Sequence, residues 1–579
     1  MSISKKRLSA ALNKYSIAVF VILLCIAGTY AAKKLGEKDK EKTGPFLNLD
    51  YLKSKLAEGA ELSKQGNYKQ ELALYADLLR YEKVFSFVHL NIGKALTKIK
   101  NYKEAEIHLK KAIELRPDNK SAYLMLGIIL RTNEKAKESL EILQQAHTSQ
   151  PEKYETNLEL SKTYYQLKQY DQALTFGIKA AKIKPSNIYA LLNIAYIYNQ
   201  QGKLDLAIKM YRKILTIAPD LDNANYNLGY SLKIKGEIEE ALTYLDKAIA
   251  LKPDYLDAHI ARSQAKIAIE NFEEGWEEYE WRWGLFGIKP MEYKNSMWDG
   301  SPIKGKTILL KTEQGLGDTL QFIRYAKLVK EMGAHVICKV QKPLVKLVSS
   351  CDFIDKVMHE LDDSIKYDEH AHLMSLPRIL KTKPDTIPAD TPYLKADPTL
   401  EKAWEKTLEQ DKNFKVGLCW HVDPVHEKTK SPWSFRAIAI EQFKSFAQVE
   451  GVSFYSLQKL EDDTELKRAP KGLQLKTFGP DFDRKHGSFM DSAAIIKHLD
   501  LVITVDTCIA HLAGGLHKPV WMLLPYAPDC RWRLEKTDTP WYPTMTLFRA
   551  KTPQVWDDIL DTIAVKLANH IKEQKTTIS

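Results

Sequence analysis

A ladder with a spacing of 34 residues constrains this chain more than any other feature. Its rungs are Tyr68, Tyr102, Ala136, Tyr170, Leu204, Ile238 and Phe272. Three residues past each rung stand Glu71, Ala105, Ser139, Ala173, Ala207, Ala241 and Gly275. Small residues recur at Gly59, Gly93, Gly127, Ser161, Ala195, Gly229 and Ser263, and prolines at 117, 151, 185, 219 and 253. A fixed period of this size means one supersecondary unit stacked on copies of itself, each burying its apolar face on the next. The small residues then fall where two helices of a unit touch. Each proline ends the second helix of one unit and starts the next.

This pattern is the signature of tetratricopeptide repeats, and seven fit between Leu52 and Lys289. Such arrays form a concave groove that binds peptides or proteins. The first-helix positions Asn91, Met125, Glu159, Asn193 and Asn227 are expected to face it. This part resembles the repeats of O-GlcNAc transferases, in which asparagines hold peptide backbone. The resemblance implies a protein or peptide partner held by Asn91, Glu159, Asn193 and Asn227. The plainer reading is that the repeat pattern itself favours asparagine there.

With 579 residues, several domains are expected. The chain is 44% hydrophobic and 27% charged, as folded proteins are. Its net charge of +11 is spread along the chain, with no dense Lys/Arg block interleaved with aromatics. Nucleic acid is therefore not an expected partner; anionic small molecules or a membrane surface suit the charge equally. Six cysteines, at 25, 338, 351, 419, 508 and 530, have no close pairing and read as thiols of a reducing compartment. Ahead of the array, a basic tail (1–14) is followed by an uncharged apolar stretch (15–32) and a charged linker (33–51). A span needs about 20 residues, so 15–32 is expected to anchor the chain in a membrane. A cleaved signal segment is the alternative, because Thr29-Tyr-Ala31 has the form of a cleavage site.

The second half carries two strand–turn–helix units. Leu501–Val505 is a run suited to a buried parallel strand and stops at Asp506-Thr507, residues that cap helices. His511 follows one turn later, and Val520–Leu524 is a second apolar run. At a strand's carboxyl end, Thr507 and the amides beside it have the chemistry to hold a phosphate. Thr307–Thr312 is likewise a strand pattern that runs into Glu313-Gln-Gly315-Leu-Gly317-Asp318 and an expected helix through Glu331. Glycines at such a turn let backbone approach a ligand closely, and Asp318 there is either a helix cap or a functional carboxylate. The spacing fits neither a P-loop nor a dinucleotide fingerprint. His421 and His426, with Asp423 between them, make a weak metal motif, and no metal is expected.

The segments Glu313–Leu320 and Asp506–Gly514 resemble the two signatures of the heptosyltransferase-like glycosyltransferases of family 9. Trp276–Trp283, Trp298-Asp299-Gly300, Pro525-Tyr526, Arg531-Trp532 and Trp541-Tyr542-Pro543 are similar to a bacterial set in which tetratricopeptide repeats precede such a domain. The resemblance implies a GT-B enzyme that is inverting and metal-independent, with no cofactor beyond a nucleotide-sugar co-substrate. It implies Asp318 as catalytic base, and Gly315, Gly317, Lys430, Arg436, Lys459, Asp506, Thr507 and His511 around the donor. Such donors are cytoplasmic, so the repeats and transferase would lie on the cytoplasmic side of a bacterial inner membrane.

The expected fold class is α plus α/β: a membrane-anchor helix, an α-solenoid over 52–289, then a GT-B-like double Rossmann domain. Its first half is expected at 303–396, with strands at Ile308–Lys311, His335–Val340 and Ala371–Leu376. Its donor-binding half is expected at 414–570, with strands at Val416–Trp420, Phe454–Leu457, Leu501–Val505 and Val520–Leu524. The first half is short for this class. Two alternatives therefore stand: a non-catalytic scaffold with a degenerate transferase domain, and a protein O-glycosyltransferase.

Overall fold

The computed structural model describes residues 49–81, 86–288, 297–361, 364–422, 435–460, 462 and 464–578. The expected anchor (15–32), the tail before it, nearly all of the linker, and Lys430 lie outside the described residues. None of the described helices is long and apolar enough to cross a membrane. The chain forms two compact units, one up to Ile197 and one from Tyr198. Seven helix pairs occur among the described residues, from Leu49–Lys64 and Tyr68–Tyr81 to Leu256–Ala268 and Phe272–Tyr279.

In the first unit the ladder residues do what their spacing requires. A Cβ at Gly127 would lie 2.5 Å from Cγ of the fully buried Leu143, so only glycine lets these two helices approach so closely. Ser139 donates to the carbonyl of Gly127 at 2.7 Å, and Ser161 to that of Ala173 at 2.5 Å. Pro117, Pro151 and Pro185 stand just past helices ending at Leu115, Ser149 and Ile183. The turn inside each pair puts one residue in the left-handed region. These are Gly66, Lys100, Glu134 and Lys168 in the first unit and Gly202, Gly236 and Glu270 in the second.

The second unit holds the last repeats and two parallel sheets. The first sheet has strands β1 Thr307–Lys311, β2 His335–Lys339, β3 Lys356–Met358 and β4 Glu369–His372, in the order β3-β2-β1-β4. The second has β5 Phe414–Cys419, β6 Val452–Ser456, β7 Leu475–Lys476, β8 Leu501–Val505, β9 Val520–Leu524 and β10 Met545–Arg549, in the order β10-β9-β8-β5-β6-β7. β8 and β9 are buried throughout, as strands covered on both faces must be. In each sheet the chain starts mid-sheet and winds outward both ways. The direction reverses between β1 and β4, and between β5 and β8, where open α/β sheets bind ligands.

Three expectations are corrected. The strand expected at Ala371–Leu376 is β4, Glu369–His372, in register with Ile308–Lys311 of β1. Leu373–Ser375 turns away as a 3-10 helix and Leu376–Ile379 as an α-helix, where Pro377 pre-sets the helical φ. The helix expected to run unbroken to Glu331 is two helices, Leu316–Phe322 and Tyr325–Glu331. Between them the amides of Ala326 and Lys327 bond carbonyls three residues back, tightening the turn around the buried Arg324. That guanidinium donates to the carbonyl of Trp541 at 2.5 Å and the hydroxyl of Tyr393 at 3.0 Å. Finally, β3, β7 and β10 were not expected; β3 and β7 are three and two residues long, too short to show a periodicity.

The aromatic cluster after the last repeat is packing. Trp276 meets the ring of Phe322 edge-on at 5.9 Å. Arg282, buried, donates to Glu280 at 2.5 Å, Glu313 at 3.0 Å and Ser375 at 2.7 Å. Two buried carboxylates and a hydroxyl thus engage both terminal nitrogens of one buried cation, whose Nε has no hydrogen-bond partner among the described residues.

Candidate functional site

A cleft of about 1970 Å³ lies in the second unit. Its walls are the turn after β1, the ends of β5 and β8, the loop after β9, and Tyr230, Lys233, Gln264 and Glu270 of the last repeats.

In the turn after β1, Gly315 is the N-cap of Leu316–Phe322 and has extended backbone. Oδ2 of Asp318 accepts the Gly315 amide at 3.0 Å, so this carboxylate caps its own helix. Oδ1 accepts from Nη1 of Arg531 at 2.7 Å. The same Nη1 lies 2.7 Å from Oε1 of Gln321, and Nε of Arg531 donates to Asp529 at 2.8 Å. Burial works against the charge on Asp529, yet Arg531 holds that carboxyl well below the usual range.

In the turn after β8, Thr507 is the N-cap of Cys508–Gly515 and its hydroxyl accepts the Ile509 amide at 3.2 Å. Asp506 is buried. Its Oδ2 accepts from Nε1 of Trp532 at 3.1 Å, and its carbonyl accepts from Nη1 of Arg436 at 2.7 Å. His511 is also buried, with Nδ1 at 2.9 Å from the Tyr542 hydroxyl and its ring stacked on Trp532 at 5.6 Å. Burial, then the charge of Arg531, pushes its pKa down to about 3. It is a neutral imidazole at pH 7. Burial pushes the thiols of Cys419 and Cys508 up to about 11 and about 12, so both stay protonated.

The two turns touch. A Cβ at Gly317 would lie 2.9 Å from Cδ2 of His511, and Cα of Cys508 is 3.7 Å away. Gly317 thus serves the approach of one helix to the other. Lys459 is exposed and lines the cleft beside Gln458, whose Oε1 accepts the amides of Trp420 and His421 at 3.2 and 3.1 Å. His421 pairs with Glu465 at 3.0 Å. Among the described residues no group of three or more His, Cys, Asp or Glu is placed to hold a metal.

The structure therefore brings Gly315, Gly317, Asp318, Arg436, Lys459, Asp506, Thr507 and His511 to one cleft. The expected groove residues are partly tied within the repeats. Asn193 is buried and donates to Oγ of Ser161 at 2.5 Å; Glu159 is buried between Arg131 at 3.0 Å and Lys162 at 2.8 Å. Asn227 donates to the carbonyl of Asn223 at 2.6 Å, and Asn91 is half-buried. Sequence reasoning assigned no role to Arg531, Asp529 or Lys233. Lys233 donates to Gln264 at 2.6 Å, and burial lowers its pKa. The Asp318–Arg531 pair spans 213 residues, and no local pattern announces it.

Residues 188–221 match one tetratricopeptide-repeat family model, and residues 88–119, 154–187 and 222–255 match a second. The chain carries tetratricopeptide repeats. Protein FlbA of Caulobacter vibrioides is 23% identical over 329 residues, covering 53% of this chain and 54% of FlbA. The chain thus spans about half the length of this curated relative. Among solved structures, YrrB, a TPR protein with an unusual peptide-binding site, is 24% identical over 32% of this chain and 95% of its own, with a TM-score of 0.28. Pseudomonas aeruginosa pilF is 17% identical over 36% and 95%, with a TM-score of 0.32. MamA of Desulfovibrio magneticus RS-1 is 19% identical over 29% and 96%, with a TM-score of 0.28. In this tetratricopeptide-repeat protein the repeats lead into an α/β region with two parallel sheets, and the last two helix pairs supply one wall of its cleft.

Proposed function

We propose that the α/β region is a GT-B-type glycosyltransferase, inverting and metal-independent, that takes its sugar from a nucleotide donor. The observation that carries this proposal is the meeting of two helix N-termini, at Gly315–Asp318 and Thr507–Ile509, at the switch points of two parallel sheets on one cleft. The amides after Thr507 would hold the donor diphosphate, helped by Arg436, Lys459 and Lys430. Asp506 and the neutral His511 would position the nucleotide-sugar. Asp318 would accept the proton of the acceptor hydroxyl. The repeats would present a protein or glycan-assembly partner, and 15–32 would anchor the chain to the inner membrane with both parts in the cytoplasm.

A thermal-shift panel on the full-length chain with ADP, UDP, GDP, CMP and their sugar conjugates tests the proposal. Ligand at about 100 times its dissociation constant adds about 2.7 kcal/mol, which is readily seen. The expected result is a shift with one nucleotide that disappears in Thr507→Ala. The four-stranded first sheet favours a second reading, a scaffold whose sheets no longer turn over substrate. A flat panel would select it. Digestion of intact cells by external protease tests the topology, and cleavage beyond Lys53 would refute it.

A further inference from the structure

We propose that Arg531 is the cation that receives the donor's diphosphate, and that its ion pair with Asp318 is a self-inhibitory contact which donor binding breaks. This rests on the transferase reading above. A carboxylate oxygen already engaged by a donor is not free to take a proton from an incoming hydroxyl. Asp318 is in that position: one oxygen accepts from Arg531 at 2.7 Å and the other from the Gly315 amide at 3.0 Å. To act as a base it must first lose its cationic partner.

Arg531 is suited to leave. Its Nε is tied to Asp529, its Nη1 is shared between Asp318 and Gln321, and its Nη2 makes no hydrogen bond among the described residues. The side chain is 11% exposed and lines the cleft. Asp529 fixes one edge of the guanidinium, so the far edge swings while the residue stays anchored. Arg436, Lys459, Arg533 and Lys536 line the same cleft, and Arg531 is the one whose Nη1 is paired with Asp318. His511 is buried and neutral, and Arg436 already donates to the Asp506 carbonyl. A diphosphate has more charge than one carboxylate and takes a guanidinium bidentately. It would draw Arg531 off Asp318, leaving that carboxylate without a counter-charge as the donor seats.

The transfer then balances. The acceptor oxygen bonds to the anomeric carbon, and the bond from that carbon to the diphosphate oxygen breaks. Its electron pair leaves with the nucleoside diphosphate, whose charge Arg531 meets. The acceptor's proton passes to Asp318 and goes to solvent when Arg531 returns.

The test is calorimetric titration of the full-length chain, its Asp318→Asn, Arg531→Gln and Arg531→Lys variants, with ADP, UDP and GDP and the matching nucleosides. Asp318→Asn removes the charge that holds Arg531 back, so it should bind the diphosphate several-fold tighter than the parent, on the order of 3- to 10-fold. Arg531→Gln should bind it on the order of 10-fold more weakly, with Arg531→Lys between. Nucleosides should bind all four alike. Equal diphosphate affinity in Asp318→Asn and the parent would overturn the inference while leaving the transferase reading intact. No diphosphate binding to the parent would overturn both. Asp318→Asn keeps the test decisive even where Arg531→Gln fails to fold.

Discussion

The turn after β1 and the turn after β8 are built alike and finished differently. Each follows a buried parallel strand at a switch point, and each opens a short helix onto the cleft. At the first, the helix N-terminus is met by a charge of its own chain, Asp318, which is itself neutralised by Arg531. At the second, the cap is the uncharged hydroxyl of Thr507, beside a histidine that burial keeps neutral. A helix N-terminus carries a partial positive charge. The first turn answers that charge with a carboxylate; the second answers it with a neutral hydroxyl. Two similar local folds thus differ in the charge of the side chain that meets the helix end.

Acid should act through two histidines, His511 beside the second turn and His372 at the end of β4. His511 and His372 are both pushed down to about 3, by burial and then by Arg531 and Arg282 respectively. The unfolded chain binds these protons near pH 6.5 and the folded chain does not, so their stabilisation is complete above about pH 6.5 and is lost as pH falls towards 3. Each should cost about 2 kcal/mol between pH 7 and pH 5. Urea titrations at both values should show this, with a flatter pH dependence in His511→Gln; an unchanged slope would remove the assignment.

The contact between the turns comes next. Gly317→Val should destabilise the second unit by about 2 kcal/mol, because its side chain would overlap the His511 ring. Gly315→Ala should cost less than about 1 kcal/mol, since its Cβ meets only an oxygen of Asp318 at 3.2 Å. Equal costs would mean that the two helices separate freely. Thr507→Ala removes one cap and should lower stability by about 1 kcal/mol in denaturant melts.

The smallest effect lies in the repeats and runs the other way. Lys168 holds a left-handed turn that glycine fills elsewhere in the array, so Lys168→Gly should raise stability by about 0.5 to 1 kcal/mol. Glu270 has the same backbone but pairs with Arg533 beside the cleft at 2.5 Å. Glu270→Gly should therefore gain nothing, because the relieved strain is offset by the lost pair. A gain as large as at Lys168 would show that this pair contributes nothing.

The repeats were legible because their period is written in residue types. Gly127 against Leu143 is the physical content of one rung. The left-handed turns were half legible: Gly66, Gly202 and Gly236 fall on the period, whereas Lys100, Glu134, Lys168 and Glu270 conceal the same geometry. β8 and β9 stand where their apolar runs placed them, because five buried β-branched and apolar residues leave little choice. β3 and β7 were illegible because they are held by their neighbours in the sheet rather than by a pattern of their own. In the cleft, Asp318, Asp506 and Thr507 could be picked out because strand ends followed by caps are local signals. Arg531 stood there only within the Arg531-Trp532 resemblance, and its pairing could not be read because its partner is 213 residues away.

The sequence by itself determined a tetratricopeptide array followed by strand–turn–helix units, since period, cap and apolar run are properties of neighbours in the chain. Only the tertiary structure decided the rest: that the last repeats wall the cleft, that Gly317 exists to admit His511, and that Asp318 rests against a guanidinium. Those outcomes depend on burial and on charges brought within 3 Å from distant segments. Coulomb and desolvation energies act through space, and the order of residues along the chain does not record them.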